Sequence, residues 1–270
     1  MERQRSILIT GAGSGFGEGA AIGLAQAGHN VIAGVQIAPQ VTPLREKVKE
    51  LGLEKKLRVE KLDILSSFDV DFALTWDVDI LFSNAGMGES GPLFEIPLEL
   101  VKYNYEVNVF APLSLSQKFA VKFINEKKKG KIVFSSSMAG LITHGGFGCY
   151  ASTKHALEAI AESLQQELKP FGIQVQTINP GAYLTGFNET MAESVFRWLD
   201  DSKHFTKRAA LKAGFDGFLK TDVARLDPRE MIEAIIHIVP ADTGKFRNVV
   251  PQFIEDMLKQ HQLQAWENTI

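Results

Sequence analysis

A chain of 270 residues that is 45% hydrophobic can bury one large core, and its 23% charged content supplies the surface of a water-soluble protein. The 29 basic and 32 acidic residues leave a net charge of −3, which excludes the electrostatic footprint of a nucleic-acid or anionic-membrane binder. One cysteine excludes an internal disulfide and fits a reducing compartment.

In chain order, Ser6-Ile7-Leu8-Ile9 is a short apolar run rich in branched residues, the pattern of a buried parallel strand over Ser6–Thr10. It runs into Thr10-Gly11-Ala12-Gly13-Ser14-Gly15-Phe16-Gly17 and then into residues 18–27, which have helix-forming composition. Strand, glycine turn and helix in that order are the context of a phosphate site. Glycines permit a tight turn and close backbone approach, and the amides at the helix start meet the negative charge. Further strands are expected at 30–35, 57–62, 79–83, 131–135, 173–178 and 247–250, with long helices at about 97–127 and 150–171. This alternation implies an α/β fold, a doubly wound parallel sheet with helices on both faces. The interval 63–79 is short for a helical crossover, so 68–76 gives a reduced helix or a turn. Lys127-Lys128-Lys129 reads as a solvated cluster complementing a helix end.

No segment reads as a leader or a span. Charged residues at the start are followed by a short apolar run that Thr10 and Gly11 interrupt, whereas a secretory core needs about 7–15 apolar residues. The charge-free stretch 132–153 is full of Gly, Ser and Thr, unlike a span of about 20 apolar residues. The expected location is cytoplasmic. The six histidines show no metal-ligand spacing, so no metal is expected, and His155 is read as packed or solvated.

The chemistry concentrates on the helix from Tyr150. Residues four apart share a helix face, so Tyr150 and Lys154 project together. A phenol keeps its proton until about pH 10, and a nearby ammonium favours the phenolate. Such a tyrosine exchanges a proton with a carbonyl or alcohol oxygen while another group moves a hydride. Cys149 beside it is either a reactive thiol or a small buried hydrophobe.

With the pattern Thr10, Gly11, Gly15, Gly17, these motifs resemble the short-chain dehydrogenase/reductase family in its compact single-domain form. Ser83-Asn84-Ala85-Gly86 matches the family's N-A-G element, Asn108 its helix asparagine, and Ser137 its catalytic serine. Asn179-Pro180-Gly181 with Thr185 matches the stretch on the nicotinamide carboxamide. The resemblance covers about residues 6–185 continuously and runs on loosely to about 255. It implies a Rossmann-type fold filling residues 1–270 as one dinucleotide-binding catalytic domain, an NAD(P)-dependent oxidoreductase.

The implied catalytic set is Asn108, Ser137, Tyr150 and Lys154. Ser137 hydrogen-bonds the reacting oxygen, Tyr150 donates the proton, Lys154 lowers the tyrosine's pKa and holds ribose hydroxyls, and Asn108 positions a water toward solvent. The implied cofactor contacts begin with Gly11, Gly13, Ser14, Gly15, Phe16 and Gly17. They continue with Gln36, Asp63, Ile64, Asn84, Ala85 and Gly86, then Tyr150, Lys154, Pro180, Gly181, Tyr183 and Thr185. Asp63 is equally a helix cap. A homodimer or homotetramer is expected, pairing the long helices. The apolar residues Ala156, Leu157, Ile160 and Leu164 serve either that contact or the protein's own sheet.

Cofactor choice is open. An acid ending the second strand selects NAD and a nearby arginine NADP, yet Val31 to Gln40 carries neither. The reading leans to NADP(H), with Val35 as the place to test it. Substrate identity is assigned to a lid at about 182–226, which carries Phe187, Met191, Phe196, Trp198, Phe205, Phe215 and Phe218. These rings imply an apolar ketone or secondary alcohol, or else they pack the lid itself. Met138, Thr143, His144 and Tyr183 are further candidates to face the substrate. A non-catalytic dinucleotide-binding redox sensor is the alternative reading; loss of the tyrosine or lysine would mark it, and both are present. An epimerase or dehydratase would need more chain than the segment after Thr185 provides.

Overall fold

Branched residues bury almost completely in the first strand, β1 (Ser6–Thr10), because both faces of it are covered. The computed structural model describes residues 3–267 and Thr269. The strands that follow are β2 (Asn30–Val35), β3 (Leu57–Lys61), β4 (Ile80–Ser83), β5 (Lys131–Ser135), β6 (Gln174–Pro180) and β7 (Arg247–Val250). Among the described residues they form one parallel sheet in the order β3-β2-β1-β4-β5-β6-β7. The helices are α1 (Gly15–Gln26), α2 (Val41–Glu50), α3 (Ser67–Ala73), α4 (Leu98–Tyr105), α5 (Ala111–Asn125) and α6 (Gly148–Leu168). After them come α7 (Phe187–Ser194), α8 (Arg208–Leu219), α9 (Pro228–Ile238) and α10 (Gln252–Ala265).

Alternation along β1 divides the core. Ile7 and Ile9 face Leu24, Met231 and Ile235 of α1 and α9, whereas Leu8 faces Phe119, Phe123 and Leu157 of α5 and α6. Leu157 and Leu164 thus serve the protein's own core. The chain lays down β2 and β3 on one side of β1, then crosses to β4 on the other. Where that order reverses, the carboxyl ends of β1 and β4 diverge and leave a crevice.

Three expectations need adjusting. The helix expected over 97–127 is α4 and α5 joined by a π turn, Glu106–Phe110, and this wider turn carries Asn108. The reduced helix α3 is capped by Ser66, whose hydroxyl accepts from the Asp69 amide, so Asp63 is not its cap. Lys128 is not simply solvated: its ammonium bonds the Asp77 carboxylate and the Val78 carbonyl, tying the end of α5 to the start of β4. No described helix is long and apolar enough to cross a membrane.

Candidate active site

The crevice opens into a cavity of about 680 Å³, within the size range of small-molecule sites (roughly 300–1,000 Å³). At one end lies the turn between β1 and α1. Gly11 has φ +67, and a Cβ there would stand 2.7 Å from the Ala85 Cα. Gly17 is tighter, since its Cβ would stand 2.3 Å from the Gly11 carbonyl oxygen. Side chains are excluded because two backbone segments touch. The Thr10 hydroxyl accepts from the backbone amides of Asn84 and Ala85, both at 3.0 Å, and the Asn84 side-chain NH₂ donates to the Thr10 carbonyl at 3.1 Å. Gly15, Phe16 and Gly17, the first turn of α1, line the cavity, so unpaired helix amides and the positive end of the helix dipole meet there. These residues fit a dinucleotide diphosphate, because only a backbone-lined cradle of this kind admits phosphate so close to helix amides.

Every cofactor-contact candidate from the sequence lines this one cavity: Gly13, Ser14, Gln36, Asp63, Ile64, Gly86, Pro180, Gly181, Tyr183 and Thr185 accompany those just named. Val35 does not. It is fully buried in the core beneath β2, whereas Gln36, one residue on, faces the cavity. Of the two, only Gln36 reaches the cavity, and strand alternation is the reason. Asp63 accepts from the Leu65 amide at 3.1 Å while its own amide is held by Asp69, a turn that leaves it at the cavity wall.

Ser137, Tyr150 and Lys154 line the middle of the cavity. β5 delivers the serine just past its end and α6 presents the other two one turn apart. Both α6 residues are buried. The Lys154 ammonium donates to the Ser135 carbonyl at 2.8 Å and lies 5.7 Å from the centre of the Tyr150 ring. Burial lowers the Lys154 pKa to about 8, opposed by the Glu158 carboxylate. Burial likewise raises the Tyr150 phenol to about 12, opposed by its hydrogen bond with Ser137. Thus desolvation outweighs the downward pull on the tyrosine that the sequence implied. Cys149 is buried and its thiol is pushed up to about 12, first by burial and then by the charge of Glu89, so it is the small hydrophobe and not a reactive thiol.

Asn108 alone among the catalytic and cofactor-contact candidates stands behind the cavity wall. Its side-chain oxygen accepts from the Met87 amide at 2.9 Å, and its NH₂ donates to the Met87 carbonyl at 2.7 Å and the Thr153 hydroxyl at 3.0 Å. Both amide hydrogens are therefore engaged with protein. Sequence reasoning missed a second support. Asn179 donates to the Ser137 carbonyl at 3.1 Å and to buried Glu158 at 2.6 Å, and Arg247 donates to the other Glu158 oxygen at 2.8 Å. Glu158 lies one helical turn beyond Lys154, but nothing in the sequence pairs it with residues 179 and 247.

The other end of the cavity belongs to the segment 182–226. Phe187 and Met191 line it, and the Phe187 ring lies 5.5 Å from that of Tyr150. The remaining rings do not reach it. Phe196, Trp198 and Phe215 cluster with Val195 and Leu199, Phe218 covers Phe147, and Phe205 is 89% exposed. Met138 packs on Ile142 and Ile254, and Thr143 and His144 are exposed, so none of these three faces the cavity. Gln40, Glu89, Tyr103 and Arg197 also line it and were not anticipated. Gln40 and Arg197 lay in stretches the sequence had marked for cofactor choice and substrate, but neither was singled out there. No group of three or more metal-binding side chains is present among the described residues.

The geometry agrees with comparisons to known proteins. The short chain dehydrogenase family profile matches residues 5–195. The uncharacterized oxidoreductase YusZ of Bacillus subtilis is 34% identical over 68% of this chain and 66% of its own length. The NADPH-dependent 3-dehydrocapnine reductase of Ornithobacterium rhinotracheale is 40% identical over a shorter stretch, 40% of this chain and 39% of that protein. A short-chain dehydrogenase from Streptomyces avermitilis superposes with a TM-score of 0.77 at 25% identity, covering 99% of this chain and 97% of that one. The chain belongs to the short-chain dehydrogenase/reductase family of NAD(P)-dependent oxidoreductases.

Proposed function

We propose that this cavity interconverts a ketone and a secondary alcohol, with Tyr150 as the proton-transfer group. The observation that carries the reading is the convergence of Ser137, Tyr150 and Lys154 on the cavity that the glycine turn opens. When bound, the nicotinamide cofactor supplies or accepts the hydride. The glycine turn would hold its diphosphate, Gln36, Asp63 and Ile64 its adenosine end, and Pro180, Gly181, Tyr183 and Thr185 its nicotinamide end.

The chain's own residues handle the proton. With a phenol near 12, Tyr150 is protonated at neutral pH and donates to an oxygen gaining negative charge. The Ser137 hydroxyl accepts from the Ala139 amide, which leaves its proton for that same oxygen. Lys154, anchored on the Ser135 carbonyl, keeps its remaining N–H groups for ribose hydroxyls and steadies the phenolate left behind. Asn108 acts as a positioning residue, fixing the Met87 backbone against α6.

The segment 182–226 serves as a lid, and Phe187 and Met191 support an apolar face for the substrate. Gln36 brings no acid to repel a 2′-phosphate, and the Ornithobacterium relative is NADPH-dependent, so NADP(H) is the favoured cofactor. The test compares the parent with Tyr150→Phe, measuring nucleotide binding and turnover of a ketone panel. We expect both to bind nucleotide and the variant to lose about 10²–10⁴ in turnover. Full turnover by the variant would remove Tyr150 from the mechanism, and binding without turnover in either would favour the redox sensor.

A further inference from the structure

One charge in the cavity takes part in neither the cofactor cradle nor the proton transfer. Glu89, on the loop after β4, is 5% exposed and lines the cavity. Its Oε2 is shut off from solvent without a hydrogen-bond partner, and no cation pairs with the carboxylate among the described residues. Buried carboxylates are otherwise paired or hydrogen-bonded, because desolvating an unpaired charge is costly. Neither cation of the cavity pairs with it: Lys154 is held by the Ser135 carbonyl, and Arg197 lines the same cavity without forming an ion pair to Glu89.

The loop around Glu89 is clamped. A Cβ on Gly88 would stand 2.7 Å from the Met191 sulfur, the Ser90 amide donates to the Ser194 hydroxyl at 2.9 Å, and the Gly91 amide donates to the Gly146 carbonyl at 2.7 Å. These contacts fix the backbone of the loop, and of the two carboxylate oxygens it is Oε1, also without a partner, that keeps accessible surface and meets a ligand.

We propose that Glu89 binds a protonated amino group of the substrate, which makes the substrates amino ketones and the corresponding amino alcohols. This rests on the oxidoreductase reading above for the chemistry, but not for the binding. An ammonium carries three donors and the opposite charge, and so satisfies a desolvated carboxylate. A ketone without the amine leaves that carboxylate unpaired, and the site discriminates against it for that reason.

The experiment is calorimetric titration of 2-amino-1-phenylethanol, 1-phenyl-1,2-ethanediol and 1-phenylethanol into the protein, with and without saturating NADPH or NADH. We expect the amine to bind at least about tenfold more tightly than either neutral alcohol. In Glu89→Gln that preference should shrink to about twofold or less, while Glu89→Asp should retain part of it. The proposal is overturned if the amine fails to bind, if the three ligands bind alike in the parent, if the diol matches the amine, or if Glu89→Gln keeps the preference. Turnover of acetophenone and 2-amino-1-phenylethanone is read separately. Failure of both ketones to react counts against the oxidoreductase reading, while the amine preference stands or falls by the titration.

Discussion

The two ends of the cavity are built from different materials. The glycine-turn end is backbone against backbone: Gly11 against Ala85, Gly17 against Gly11, and Thr10 holding two consecutive amides of the loop after β4. The end at segment 182–226 is side chain against side chain, with Phe187 on Tyr150 and a satellite cluster of Val195, Leu199 and Phe215 that the main core does not include. A backbone-built end presents the same amides to any bound phosphate and tolerates almost no change. A side-chain-built end can be re-lined without moving the scaffold. The proposed function uses this difference, with cofactor chemistry at the first end and substrate choice at the second.

The sharpest way to break the comparison is Gly17→Ala. The new methyl would lie 2.3 Å from the Gly11 carbonyl oxygen and 2.7 Å from the Asn84 amide nitrogen, so the turn must move. Overpacking of this kind costs about 3 kcal/mol, and taken from nucleotide affinity that is roughly a hundredfold. Fluorescence titration with NADPH and NADH checks it; unchanged affinity would mean that the turn is softer than a backbone-built cradle should be.

The same contrast explains what could be read from the sequence. Backbone needs restrict residue type, so Gly11, Gly17, Asn84 and Gly86 stood out by identity and spacing, and so did Tyr150 and Lys154 at one helical turn. The alternation of apolar strands with helices gave the sheet, to within a residue or two at most strand ends. Side-chain clusters impose no spacing. Phe196, Trp198 and Phe215 pack among themselves and away from the cavity, and only the fold separates them from Phe187 and Met191. Glu158, Asn179 and Arg247 are far apart in the chain and meet through three different elements. Val35 and Gln36 differ by one residue, and a strand sends such neighbours to opposite faces.

That last pair gives the next prediction, of intermediate size. At Gln36 an arginine should shift the ratio of NADPH to NADH affinity upward by about tenfold and an aspartate downward by a similar factor, the scale of one charge-assisted hydrogen bond (roughly 1.5–3 kcal/mol). At Val35, fully buried in the core, an aspartate should lower stability without choosing between the cofactors. Competitive titration of the two nucleotides and a thermal melt read both outcomes. A cofactor switch at Val35 and none at Gln36 would reverse the assignment of the strand's faces.

The smallest effect tests segment 182–226 with the same substitution that jams the glycine turn. Gly214 lies inside α8, exposed, and a Cβ there would have nothing within 4 Å. Its backbone lies outside the positive-φ region, so alanine needs no change of conformation. Alanine in place of glycine within a helix favours the helix by roughly 0.5–1 kcal/mol, because less backbone freedom is lost on folding. In a domain of this size that is about 2 °C in Tm if α8 melts with the rest. If α8 opens on its own, the gain shows instead as slower amide hydrogen exchange confined to residues 208–219, with Tm unchanged. Either result is compatible with a side-chain-built end; a loss of stability would show that α8 is held by contacts as close as those of the glycine turn. Gly17→Ala and Gly214→Ala therefore carry opposite signs for one chemical change, because the first meets another backbone segment and the second an open helix face.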